Sequence, residues 1–137
     1  MKIFPCQVNK IMHKNGSIIN SFKNAFYGLF SLLKTENNAK IHLIATITVL
    51  LISSFLPLSV FEWIFMMLVI FLVWIAELFN TSLEYLFNLV EPNTNPVVKM
   101  GKDMSAAAVL ITALFSVIVG VLILVPAILE KLNLISR

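Results

Sequence analysis

The sequence predicts an all-α integral membrane protein, with an N-terminal amphipathic surface helix and three transmembrane helices in a single domain over residues 1–137. Composition, charge placement and run length predict it. Hydrophobic residues make up 59% of the chain and charged residues 12%, with a mean hydropathy of +0.94, far more apolar than a water-soluble domain. The charges stay outside long apolar runs, whose lengths approach or exceed what crossing hydrocarbon requires. This balance excludes a soluble enzyme, a disordered chain and a nucleic-acid-binding arm. The net charge of +3 and isoelectric point near 9.2 suit anionic head groups or nucleotides equally. Cys6 is the only cysteine, so neither an intrachain disulfide nor a Cys-based metal cluster can form.

The surface helix is expected over about 17–35. There Ile18, Ile19, Phe22, Ala25, Phe26, Leu29, Phe30 and Leu33 recur at steps of three and four, with Asn20, Lys23, Asn24, Ser31 and Lys34 elsewhere on the wheel. The first span, about 38–58, is built on Ile41 to Leu56, sixteen uncharged residues before Pro57. These rise roughly 24 Å, so the span needs its flanks. The second, about 60–84, runs from Trp63 to Ala76 and continues past Glu77 to Leu83, carrying an acid inside it. The third, about 104–129, contains twenty-five uncharged residues from Ser105 to Leu129.

The short connection at Leu56–Ser59 makes the first two spans a helical hairpin, and the polar stretch 88–103 with Pro92 and Pro96 must lie outside the hydrocarbon. Six of the ten basic residues (Lys2, Lys10, Lys14, Lys23, Lys34 and Lys40) precede the first span, and Lys99 and Lys102 lie between the second and third. By the positive-inside rule the N-terminus and the 88–103 loop are cytoplasmic and the C-terminus is external. Ala108, Thr112, Ser116 and Gly120 stand at four-residue steps on the third span, a small-residue stripe that lets another helix approach and favours an oligomer.

Glu77, Asn80 and Glu84 occupy positions i, i+3 and i+7 of the second span, within about 60° of one another on a 3.6-residue helix. An acid at this depth costs several kcal/mol unless neutralised or coordinated, which marks a functional site or a carboxylate hydrogen-bonded to a neighbouring helix. Glu36, just before the first span, and Lys102 with Asp103, just before the third, converge on the same cytoplasmic edge. Facing carboxylates repel unless a hard cation such as Mg²⁺ separates them, and a lysine suits phosphate. Taken alone, Lys102 and Asp103 have ordinary readings as a topology signal and a helix-dipole partner. Together the residues point to Mg²⁺-nucleotide chemistry, although no P-loop or protein-kinase motif is present. A non-enzymatic channel or assembly subunit using Glu77 as a proton site is the competing reading, and it leaves Glu36, Lys102 and Asp103 without a role.

Four segments carry a resemblance: 25–29 (AFYGL), 36–43 (ENNAKIHL), 76–84 (AELFNTSLE) and 101–104 (GKDM) with 106–110 (AAAVL). On these the chain resembles the bacterial diacylglycerol kinase and undecaprenol kinase family of small membrane lipid kinases, over about residues 17 to 125. The resemblance implies a homotrimer in the bacterial cytoplasmic membrane that uses Mg-ATP to phosphorylate a lipid hydroxyl at the cytoplasmic interface. It implies Glu77 as general base and Glu36 and Glu84 as metal-binding acids that also contact the nucleotide. It implies Lys102 and Asp103 as nucleotide contacts supported by Asn80, with Asn95 in the nucleotide-contacting loop. Asn88 stands where many members have Asp, Asn95 where many have His, and Gly101 where Ala is usual. The family covers both acceptors and an apolar helix does not read tail chemistry; diacylglycerol is the expected acceptor, with undecaprenol as the close alternative.

Overall fold

The computed structural model describes residues 18–91 and 95–133. Lys2, Cys6, Lys10, Lys14 and Arg137 lie outside them, as does Pro92. Four helices follow in order: α1 Ile18–Thr35, α2 Asn37–Ser54, α3 Val60–Val90 and α4 Pro96–Lys131. The chain divides into two compact units, 1–31 and 32–137. The described part of the first lies on a helix, as expected over about 17–35, and Ile18, Ile19, Phe22, Phe26 and Tyr27 are exposed on it.

In the second unit α3 and α4 make most of the inter-helix contacts and α2 adds a smaller set against α3. The start of α3 is set locally. Ser59 Oγ accepts from the Glu62 N–H at 3.3 Å while Glu62 Oε2 accepts from the Ser59 N–H at 2.8 Å, a reciprocal capping box legible as Ser-x-x-Glu. The α2–α3 connection is the short turn expected, and α2 ends at Ser54 rather than continuing to 58. At that end Lys131 Nζ donates to the Phe55 carbonyl at 2.7 Å and lies 5.9 Å from the Phe55 ring centre, tying the close of α4 to the close of α2.

Among the described residues, α3 and α4 are the two helices long and apolar enough to cross a membrane by themselves. Asn37, Asn38, Lys40 and His42 fall within the first six residues of α2, which leaves it short of apolar length on its own. The helices also outrun the expected spans. The α3 helix, 31 residues and roughly 46 Å, continues to Val90. The α4 helix, 36 residues and roughly 54 Å, begins at Pro96, so most of the 88–103 stretch is helical rather than loop. Pro96 sits at the first helical position, where its missing N–H costs nothing, and Asn95 Oδ1 caps the helix by accepting from the Val97 N–H at 2.9 Å. Hydropathy marks where hydrocarbon ends, not where the helix ends.

Of the small-residue stripe of α4, Ala108 is exposed and Thr112, Ser116 and Gly120 are half-buried. Thr112 Oγ1 bonds to the carbonyls of Ala108 and Val109 in its own helix. Ser116 and Gly120 line an apolar groove of about 380 Å³ between α2, α3 and α4, and a Cβ at Gly120 would meet nothing within 4 Å.

Candidate active site

The buried face of α3 reads Met66, Val69, Val73, Glu77, Asn80 and Thr81, spacings that keep one stripe turned inward over four turns. After Val73 the stripe changes from apolar to polar without leaving the interior. Glu77 is 1% exposed, and among the described residues its Oε2 has no hydrogen-bond partner. Among the described residues no Asn or Thr pairs with this oxygen, so the alternative expectation, a carboxylate bonded to a neighbouring helix in an oligomer, would need a second copy to supply the partner. The carboxylate lines a cleft of about 230 Å³ together with Asn38, His42, Asn80, Ala106 and Ala113. From α4 the lining is Ala106, Val109, Leu110 and Ala113.

Glu36 and Glu84 are close enough to Glu77 to act on it electrostatically. Glu36 holds the N-cap position of α2 with extended backbone at φ −101° and ψ 124°, yet its side chain makes no cap bond. Ser, Thr, Asp and Asn are the residues that cap well, so a glutamate here leaves the helix end without its usual partner and keeps the carboxylate unspent. The segment is anchored by Tyr85, whose hydroxyl donates to Thr35 Oγ1 at 3.2 Å, placing the start of α2 beside the turn of α3 that carries Glu84.

Two links join α3 to α4 on either side of Glu84. Ser105 Oγ lies 2.7 Å from Asn80 Oδ1, and Asn80 Nδ2 donates to Glu84 Oε1 at 3.4 Å. Lys102 Nζ donates to Asn88 Oδ1 at 2.6 Å. Asn80, Glu84 and Asn88 are four residues apart on α3, and Lys102 and Ser105 three apart on α4, so an antiparallel pair brings them into register. Sequence reasoning singled out Asn80, Glu84 and Lys102. It missed Ser105, and it saw Asn88 only as a departure from the family pattern.

Asp103 is exposed and stands eight residues into α4, so it is not the first-turn dipole partner that its position before the apolar run suggested. Asn95 is brought to the helix cap, seven residues and roughly 10 Å along the axis before Lys102. Gly101 has a local explanation. A Cβ there would lie 2.6 Å from Cζ of Phe87, whose ring occupies the space.

No group of three His, Cys, Asp or Glu side chains able to hold a metal occurs among the described residues. The donor set still fits Mg²⁺, which is usually held by one or two carboxylates and completed by phosphate oxygens and water. The carboxylate of Glu36, which makes no cap bond, and the Glu84 oxygen that Asn80 does not hold would be the donors for it.

Two long apolar helices, joined near one end by a polar seam that includes buried Glu77, define an all-helical protein of membrane type. The chain belongs to the prokaryotic diacylglycerol kinase family, whose sequence profile matches residues 23–124 and so spans every site residue above. It is 34% identical over 116 residues to an undecaprenol kinase of Bacillus subtilis (strain 168), covering 83% of this chain and 94% of that relative. It is 34% identical over 115 residues to a diacylglycerol kinase of Synechocystis sp., covering 83% of this chain and 66% of that protein. The family is one of lipid kinases, which bears out the resemblance read from the sequence and makes this protein a membrane-associated kinase.

Proposed function

We propose that the protein transfers the γ-phosphoryl group of ATP to the hydroxyl of a membrane lipid, diacylglycerol being the acceptor and phosphatidic acid the product. The observation that carries this reading is Glu77 itself, a buried carboxyl group whose Oε2 has no hydrogen-bond partner among the described residues, on a residue that lines a cleft with Asn38, His42 and Asn80. As the lipid oxygen bonds to the γ-phosphorus and the bond to ADP breaks, Glu77 takes the hydroxyl proton. Lys102, on the seam beside Glu84, is placed to move from Asn88 to the phosphates, and Asp103 and Asn95 contribute further nucleotide contacts. Glu36 and Glu84 would hold Mg²⁺, which when bound neutralises phosphate charge. Asn80 supports Glu84 through its amide.

A second acceptor, undecaprenol, is favoured by the match that runs over 94% of the Bacillus undecaprenol kinase. In the membrane we place α2, with its flanks, as a third crossing beside α3 and α4, the N-terminus on the cytoplasmic face of a bacterial inner membrane and the C-terminus outside. The exposed apolar face of α1 lies in the interface plane. The open stripe of α4 is the natural contact for neighbouring copies in a homotrimer.

The test is ATP turnover by purified protein in mixed micelles containing diacylglycerol, undecaprenol or neither, with and without Mg²⁺. Turnover that needs both Mg²⁺ and diacylglycerol is expected. Turnover with undecaprenol alone transfers the assignment to the second acceptor, and no turnover with either removes the kinase reading.

A further inference from the structure

Ser105 Oγ has one proton and two acceptors within reach, Asn80 Oδ1 at 2.7 Å and the Lys102 carbonyl at 2.9 Å in its own helix. Most helical serines satisfy themselves on their own backbone in that second way. The Asn80 amide decides between them. Its far side faces Glu84 Oε1 at 3.4 Å, and a carboxylate oxygen only accepts, so Nδ2 must point to Glu84 and Oδ1 to Ser105. Two oxygens 2.7 Å apart need a proton between them, and Asn80 Oδ1 has none, so Ser105 must donate. Asn80 is 8% exposed, which leaves its amide few alternative partners in water.

We propose that Ser105 is a positioning residue: by donating to Asn80 Oδ1 it locks the amide with Nδ2 on Glu84 Oε1, and so fixes the orientation of the carboxylate that would help to hold Mg²⁺. The inference rests on the lipid-kinase reading for its consequence in catalysis, but the hydrogen-bond chain itself does not. The chain also couples two helices. It ties the turn of α4 that bears Lys102 to the acids of α3, so that the phosphate contact and the proposed metal ligand are set by one linkage.

The experiment compares wild type with Ser105→Ala and Ser105→Thr by two measurements. In ¹⁵N spectra of the micelle-bound protein, the Asn80 side-chain NH₂ pair is assigned by its loss in Asn80→Ala. It should be protected from solvent exchange in wild type and Ser105→Thr, and exchange freely in Ser105→Ala. In lipid-dependent turnover, Ser105→Ala should need about tenfold more Mg²⁺ for half-maximal rate while reaching a similar maximum, as expected when the partner orienting a metal ligand is lost. Ser105→Thr should restore the wild-type Mg²⁺ requirement. An Asn80 pair indifferent to Ser105→Ala overturns the proposal whatever the activity. So does an unchanged Mg²⁺ requirement in an active Ser105→Ala, or a Thr variant as impaired as the Ala variant in both measurements. If wild type shows no lipid-dependent turnover while the Asn80 pair responds as stated, the kinase reading falls and the Ser105–Asn80–Glu84 linkage stands.

Discussion

Glu77 and Glu84 are two turns apart on one helix, yet their surroundings differ, and the proposed function gives them different roles. Glu77 is fully buried, with an oxygen that has no partner among the described residues, whereas Glu84 is half-buried and accepts from the Asn80 amide. Glu77→Gln keeps size and polarity but removes the proton acceptor, so turnover should fall about 10²- to 10⁴-fold with nucleotide binding kept and no rescue by Mg²⁺. Glu84→Gln should instead weaken Mg-ATP binding and recover part of its rate at high Mg²⁺. A magnesium titration of both variants separates the roles; rescue of Glu77→Gln in place of Glu84→Gln would exchange them. Glu36 offers a test of a different kind, because it sits at an N-cap without capping. Glu36→Ser supplies the missing acceptor and should raise stability by about 0.5–1 kcal/mol while abolishing turnover. Thermal midpoint and activity measured on the same preparation check it, and a variant that loses stability would show the glutamate to be structural.

At the scale of helices, the polar links of α3 and α4 lie at one end and an aromatic–glycine contact accompanies them. The Phe87 ring stands 2.6 Å from where a Gly101 Cβ would be, so the absence of a side chain on α4 and the ring on α3 form one fit. Alanine is the better helix former by up to about 1 kcal/mol. Gly101→Ala should therefore stabilise a Phe87→Leu background by about that amount and the native background by distinctly less, since the ring must swing aside. Unfolding midpoints of the four proteins in micelles give the coupling directly, and equal gains in both backgrounds would refute the contact. Such a fit has no signature in the sequence, because Phe87 and Gly101 are fourteen residues apart and meet only through the pairing of two helices.

For the whole molecule, the active-site assembly requires that the ends of α1 and α3 and the beginnings of α2 and α4 share the cytoplasmic face. Reporter fusions after residue 14 and within 93–98 should read cytoplasmic and a fusion after 137 external, as the distribution of lysines requires. An external signal from 93–98 would place the cleft where ATP is absent and break the proposed function. The same measurement decides whether α2 crosses, since an even number of crossings would put both termini on one side. The length of α3 and α4 beyond the hydrocarbon accords with the site lying at head-group depth: Glu84, Asn88 and Lys102 sit on the helical extensions, not within the apolar runs.

Composition and periodicity by themselves determined that the chain is helical and apolar enough for a membrane, and that Glu77, Asn80 and Glu84 share one face. Both follow from local rules, the length of hydrocarbon and the 3.6-residue turn, that act on consecutive residues. The family, too, was legible in short contiguous segments. Only the tertiary structure decided that the Glu77 oxygen is buried without a partner, that Lys102 rests on Asn88, and that Ser105 reaches Asn80 across 25 residues. It also carried α3 and α4 through the stretch read as a loop, because charged residues end an apolar run without ending a helix. The physical reason is axial register. Which residue of α3 faces which residue of α4 depends on how far one helix is slid along the other, and that is set by the summed packing of the buried stripes rather than by any local pattern.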